Sequence, residues 1–266
     1  MNTIIRHLKV FLYLTRYSII RDLEYRVDVI SNLISSLAWL NFSLILILVL
    51  NANTGGFGDQ WEPPQMLLLI GVWMIENGFA YFLFYRTIKQ LISDVYTGSL
   101  DYLLLKPLDS QFLASSRRVA LNSLAGPIEG VIIISAALSK LHYLPQIGDL
   151  IKFAVLVIVG LSIYYSLWFI AATMSFHWIM VENLLTTVPE LVAASKFPPP
   201  AYPTGFALFF SSIIPVILMT SSPVRQILGN LPLPYLIYTI AVGGLFLFIS
   251  RRFWFWSLKS YTSASS

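Results

Sequence analysis

The chain has 266 residues, of which 57% are hydrophobic and only 11% are charged. Soluble domains carry about 25% charged residues, so this composition argues against a soluble globule and against a disordered chain. The lack of cysteine excludes a disulfide framework, an iron–sulfur cluster and a thiolate zinc site. The net charge of +4 is not gathered into a basic patch of the kind that binds nucleic acid.

Residues 1–26 predict an amphipathic helix that lies along the membrane surface. Its apolar residues share one helical face, and Arg6, Lys9 and Arg16 fall away from that face. No short apolar core follows Met1, so we expect no cleaved signal peptide. An extension of the first membrane span is the alternative for this segment. The apolar face consists of Ile4, Ile5, Leu8, Phe11, Leu12 and Ile19.

Six apolar runs follow, and each ends at charged residues or at Pro and Gly. Backbone groups find no water in lipid, and long runs without two-residue alternation favour helices over a barrel. We therefore predict an all-α integral membrane protein with six transmembrane helices. The fifth and sixth runs are short, so tilted, broken or re-entrant forms stay open for them. The predicted spans are 27–50, 66–85, 119–138, 151–175, 204–220 and 234–250.

The basic residues predict the direction of these spans. Fourteen of the 17 Lys and Arg residues fall in the N-terminal segment, in the segments after spans two and four, and in the tail. Basic residues concentrate on the cytoplasmic side of membranes, so we expect both termini in the cytoplasm and the chain in the inner (plasma) membrane. The predicted organisation is one transmembrane domain, 1–266. It comprises surface helix 1–26, spans 27–85, cytoplasmic segment 86–118, spans 119–250 and tail 251–266.

The sequence lacks the features that would indicate an enzyme. The segments between spans are shorter than the about 50 residues that a soluble catalytic domain needs. There is no G-x-x-x-x-G-K-[ST] phosphate loop, and the three histidines lie in separate segments without a metal-binding or catalytic motif. We expect no enzymatic activity, no metal site and no cofactor in this chain, and any ATP hydrolysis must come from another polypeptide.

Two carboxylates lie deep in apolar runs, Glu76 in span two and Glu129 in span three. A charge at the centre of a bilayer costs about 2.5–3.5 kcal/mol on insertion scales, so such residues usually have a function. Asn122 shares a helical face with Glu129. These three residues are candidates for a substrate path, and helix–helix packing through hydrogen bonds is the alternative.

The segment 86–118 carries the most specific pattern. Ile88, Leu91, Ile92 and Val95 follow the i, i+3, i+4, i+7 spacing of an amphipathic helix, and Gly98 is a suitable residue for its C-terminal cap. A solvated connector is the alternative on periodicity alone.

After this helix the sequence fits the pattern V-x-x-G-x-L-D-x-x-L-L-K/R-P-L-x-x-x-F, which resembles the permease subunits of type-two ABC exporters. It is most similar to a branch long catalogued as an uncharacterised ABC permease component. A second match is Phe197-Pro198 with Tyr202-Pro203 and Pro215, although this chain has three consecutive prolines where one is expected. The matching motif positions are Val95, Gly98, Leu100, Asp101, Leu104, Leu105, Lys106, Pro107, Leu108 and Phe112.

The resemblance implies a permease with six transmembrane helices and a cytoplasmic coupling helix between spans two and three. It implies a dimer with an identical or related permease, and two ATP-binding subunits that carry ATP and Mg. A short re-entrant helix before span six, near residues 224–228, is also implied, with a plain outer loop as the alternative. The residues assigned to coupling are Ile88, Leu91, Ile92, Val95, Gly98, Asp101, Lys106 and Pro107.

The leading hypothesis is therefore the membrane half of an ATP-driven exporter of a lipid, glycan, peptide or drug-like amphiphile, in contact with membrane lipids. The alternative is an ion-coupled secondary transporter that uses Glu76 and Glu129. An integral membrane enzyme or assembly scaffold is a third possibility, for which no residue set argues.

Overall fold

The computed structural model describes residues 3–24, 26–54, 61–178 and 182–261. Within these ranges all regular structure is helical and no strand is found, which confirms the all-α prediction for the described part. The α-helices are α1 Thr3–Glu24, α2 Arg26–Thr54, α3 Pro63–Ala80, α4 Arg86–Tyr96, α5 Leu100–Leu104, α6 Ser110–Ser115, α7 Ala125–Lys140, α8 Ile147–Thr173, α9 Glu182–Ala193, α10 Thr204–Leu208, α11 Val216–Ile227 and α12 Leu233–Leu258.

Four helical stretches in the described ranges are long and apolar enough to cross a membrane, and they match predicted spans two, three, four and six. A helix of about 20 residues covers the 30 Å of a hydrocarbon core. The first predicted span lies within α2, whose apolar stretch Leu33–Leu46 is shorter than that length. The four stretches are Pro63–Tyr96, Leu121–Lys140, Ile147–Phe176 and Leu233–Leu258.

The longest of these stretches is one continuous helix of 34 residues, which we call the central rod (Pro63–Tyr96). It consists of α3, a π-helical turn at Tyr81–Tyr85 and α4. The amphipathic helix predicted after span two is therefore not a separate element. It continues span two without a break, and the wider π turn shifts the faces of α4 relative to those of α3.

The fifth predicted span, 204–220, is broken, which is one of the forms left open for it. The helical pair Thr204–Ile213 and Val216–Ile227 is bent by 88° at Ile214-Pro215. Proline disfavours the helical conformation of the residue before it, and Ile214 accordingly has φ −117° and ψ 85°. The helix after the bend continues to Ile227, so the short helix predicted near 224–228 is the end of α11.

Glycines allow the central rod to pack closely against α7. A Cβ atom on Gly130 would lie 2.5 Å from the carbonyl oxygen of Gly71 and 2.7 Å from Cγ1 of Ile75. Two helical turns after Gly71 along the rod, Gly78 lies directly against Pro127 of α7. Small residues of this kind let two helix backbones approach in a membrane protein, where dispersion contacts drive association.

We predict that Gly130→Ala destabilises the protein because the added methyl group must displace Gly71 or Ile75. Overpacking of this kind costs about 1–3 kcal/mol. Thermal unfolding of the full-length protein in detergent, followed by tryptophan fluorescence, measures the effect as a lower Tm. Gly244→Ala in α12 is the matched control, since nothing lies within 4 Å of a Cβ atom there. Equal Tm values for the two variants would contradict the proposed close packing.

Candidate functional site

The segment that follows the central rod begins with a conformation that requires glycine. Gly98 has φ +73°, so it ends α4 in the left-handed region as the sequence predicted. Two short helices follow, α5 and α6. The backbone N–H of Phe112 donates to Asp109 Oδ1 at 2.9 Å, which caps the start of α6.

Ion pairs fix this segment to the helix bundle. They lie at the end of the bundle that carries Arg86, Arg117 and Arg251, and we call this end the basic end. Arg117 pairs with Asp94 of α4 at 2.5 Å, and Arg251 of α12 pairs with Asp109 at 2.6 Å. Burial alone would raise the pKa of Asp109, but the hydrogen bond from Arg251, the Phe112 N–H and the Arg251 charge lower it below its ordinary value. The segment is therefore held in one position by charged groups from two different helices.

The structure divides the predicted coupling residues into two sets. Ile88, Leu91 and Ile92 are buried in the core of this chain, and Val95 packs against that core. These residues hold α4 to the bundle and do not present a surface to another subunit.

The second set is exposed at the tip of the segment. Lys106 and Pro107 are exposed, and Gly98 and Asp101 are partly buried. Two neighbouring residues that were not assigned to coupling are exposed as well. Tyr102 is 76% exposed and Leu105 is 81% exposed. The signal that could have identified them is the unbroken apolar run 102–105, which α5 cannot bury on a single face. We call the exposed residues Tyr102, Leu105, Lys106 and Pro107 the tip.

The intramembrane carboxylates lie at different helix interfaces. Glu76 is fully buried on α3 against Gly160 of α8, where a Cβ atom would overlap its Oε1. Among the described residues neither of its carboxyl oxygens has a hydrogen-bond partner. Glu129 is half-buried on α7 and accepts a hydrogen bond from Asn41 Nδ2 of α2 at 3.4 Å.

Asn122 does not join either carboxylate in a described hydrogen bond, and its Oδ1 is buried without a partner among the described residues. The structure thus does not bring the three path candidates together into one site.

A cavity of about 360 Å³ lies between α2, α3, the start of α7 and the segment 189–196. Its lining combines aromatic rings with polar and charged groups. The Nζ atom of Lys196 lies 3.9 Å from the centre of the Trp73 ring, a cation–π contact. The lining residues include Trp39, Trp73, Tyr81, Asn77, Ser123, Glu190 and Lys196. None of these lining residues is among the path candidates selected from the sequence, Glu76, Asn122 and Glu129.

Lys196 lies in the connection between α9 and α10, at the end of the 3-10 turn Ala194–Lys196. Its partner Trp73 lies ten residues after Pro63 and thirteen before Arg86, so about 15 Å and 20 Å from those points along the rod. Lys196 therefore lies about a third of the way along the 34-residue rod.

The short helix α9, which has 12 residues, explains why Lys196 lies beside Trp73. Near the basic end, the Tyr96 hydroxyl donates to the carbonyl of Trp178 at 3.1 Å, shortly before α9 begins. Beyond the end of α9, the Thr220 hydroxyl donates to the carbonyl of Ser195 at 2.6 Å. The polar residues and Pro189 in α9 made it resemble a loop in the sequence.

The comparisons with known proteins agree with this architecture. A family model described as ABC-2 family transporter protein matches residues 37–265. Searches of curated proteins and of solved structures find no match to the chain. The matched range includes the central rod, the tip and every residue named in the cavity lining. The chain therefore belongs to the ABC-2 family of transporter proteins, and it is a membrane permease component of that family.

Proposed function

We propose that this protein is the membrane-spanning subunit of an ATP-driven exporter in the inner (plasma) membrane. In this proposal two ATP-binding subunits dock on the tip at the basic end, which faces the cytoplasm because basic residues concentrate there. A second permease, identical or related, completes the assembly. The observation that carries the proposal is that one helix, the central rod, both lines the cavity and leads directly into the tip.

The proposed membrane topology has six crossings. Four are the long apolar helices of the fold, and α2 is the first crossing. The fifth is a broken span, the bent pair Thr204–Ile213 and Val216–Ile227, to which α9 leads from the basic end. Broken spans place irregular backbone next to a protein-lined cavity, where the freed polar groups find partners.

Force would pass from the ATP-binding subunits to the cavity through the rod. ATP and Mg are held by the partner subunits, and their closure pushes on Leu105 and its exposed neighbours. The buried face of α4 transmits this motion because Ile88, Leu91 and Ile92 pack into the core of the chain. Interiors are as dense as organic crystals, so a displacement of α4 must move what it packs against.

The cavity fits a substrate with both apolar and polar parts. Trp39, Trp73 and Tyr81 supply aromatic surface, and Lys196 and Glu190 supply opposite charges. Charged residues at mid-membrane depth usually mark a transport path. An amphiphile such as a lipid, a glycolipid or a drug-like compound would satisfy both kinds of group.

The ion-coupled alternative has less support. It assigns a proton or ion path to Glu76 and Glu129, but Glu76 is packed against Gly160 and does not line the cavity. Glu129 faces α2 through Asn41 and likewise is not a lining residue.

We predict that Leu105→Asp weakens the docking of the ATP-binding subunit at least about tenfold, a loss of about 1.4 kcal/mol, because a charge replaces an exposed apolar contact. The measurement is the amount of ATP-binding subunit that co-purifies with the tagged chain from native membranes. Leu144→Asp is the matched control, since Leu144 is 92% exposed in the connection between α7 and α8, away from the tip. Full retention of the ATPase by Leu105→Asp would contradict docking on the tip.

We predict that the cavity is open to water in at least one state of the transport cycle. The chain has no cysteine, so single cysteines can be labelled without background. Ser123→Cys in the cavity should react with a polar thiol reagent at least about tenfold faster than Ser166→Cys, which is fully buried in α8.

Addition of a non-hydrolysable ATP analogue to the assembled complex should change the labelling rate of Ser123→Cys and leave that of Ser166→Cys unchanged. Equal rates for the two cysteines would show that the cavity is not water-filled. An unchanged rate with the ATP analogue would show that the cavity is not coupled to the ATPase.

A further inference from the structure

A second cavity, of about 620 Å³, lies at the basic end between α1 and α4. It is independent of the cavity at Lys196 and of the tip. Four basic side chains from three parts of the chain line it: Arg21 of α1, Arg86 and Lys89 of α4, and Arg118 before α7. Tyr85 and Tyr96 add hydroxyl and aromatic surface. We call it the basic pocket.

The nearby carboxylates do not balance this charge. Asp22 pairs with Arg86 at 2.5 Å, and Asp94 pairs with Arg117. Among the described residues no carboxylate lies within ion-pair distance of Arg21, Lys89 or Arg118.

The effect of this imbalance is visible at Arg118. Burial, together with the charges of Arg21, Arg117 and Arg86, lowers the pKa of Arg118 below its ordinary value, although Asp94 acts in the opposite direction. Several cations held this close together are stabilised by an anion that fits between them.

The surroundings of the pocket favour an anion that carries an acyl chain. Tyr17 lies one helical turn before Arg21 on α1 and is exposed, and Ile20, directly before Arg21, is an exposed apolar side chain. A helix with such an apolar face next to basic residues suits the boundary between headgroups and acyl chains. A soluble anion would leave this apolar surface in water.

We propose that the basic pocket binds the phosphate headgroup of an anionic phospholipid from the leaflet at the basic end. Basic pockets between membrane helices on the cytoplasmic side are suited to such headgroups. The phosphate accepts hydrogen bonds from Arg21, Lys89 and Arg118, and the acyl chains follow the exposed face of α1. The bound lipid connects α1 to α4, so it ties the surface helix to the rod that leads to the tip.

The test uses the full-length protein in detergent and native mass spectrometry with phosphatidylglycerol and phosphatidylcholine of identical acyl chains. We expect phosphatidylglycerol to bind at least about tenfold more tightly. Lys89→Gln or Arg118→Gln should each weaken phosphatidylglycerol binding about fivefold, the effect of one basic residue at a membrane surface, and the double variant about 25-fold. Phosphatidylcholine binding should not change in any of them.

Arg252→Gln is the matched control, because Arg252 is an exposed cation at the basic end but does not line the pocket. Three results would overturn the proposal: equal affinity for the two lipids, an equal loss in Arg252→Gln, or displacement of phosphatidylglycerol by millimolar inorganic phosphate, which would indicate a site for a soluble anion. None of these measurements involves ATP or an ATP-binding subunit. The lipid site and the proposed exporter function can therefore fail separately.

Discussion

The close approach of the central rod to its neighbours is the contact on which the rest of the structure depends. Where α3 meets α7, the backbone of Gly71 touches that of Gly130, and Gly78 touches Pro127. Where α3 meets α8, Gly160 leaves the space that the side chain of Glu76 fills. Side chains larger than hydrogen at these positions would push α7 and α8 away from the rod. The cavity beside Trp73 and the position of α4 would both change as a result.

The packing against Gly160 gives a structural explanation for the buried carboxyl group of Glu76, which the sequence could not provide. From the sequence, Glu76 and Glu129 are equivalent candidates for a transport path. The structure shows Glu76 filling a gap between two helices, whereas Glu129 contacts Asn41. The charged groups at the cavity are instead Glu190 and Lys196, and Lys196 reaches Trp73 because α9 has only 12 residues against the 34 of the rod.

Composition and periodicity predicted the helical class and four of the spans, since long apolar helices follow from the absence of water in lipid. They also predicted Gly98 as a helix end and the faces of α4. They could not predict the bend at Pro215, because an apolar run is equally compatible with a straight and a broken helix. They gave no indication that Lys196, in the connection between α9 and α10, contacts Trp73 of the rod. They could not decide whether the apolar face of Ile88 and Leu91 packs within this chain or against a partner, and they did not identify Tyr102 and Leu105 as exposed, since both depend on contacts between distant helices.

The π turn at Tyr81–Tyr85 lies where the cavity and the tip are joined. Tyr81 lines the cavity, and Arg86, directly after the turn, is anchored to Asp22 of α1. A π turn contains one more residue than an α turn, and such turns are frequent at functional sites. Rewinding it by one residue would rotate α4 by about 100° about its axis without shifting α3. The π turn thus divides the rod into two parts that can rotate independently, one that lines the cavity and one that leads to the tip.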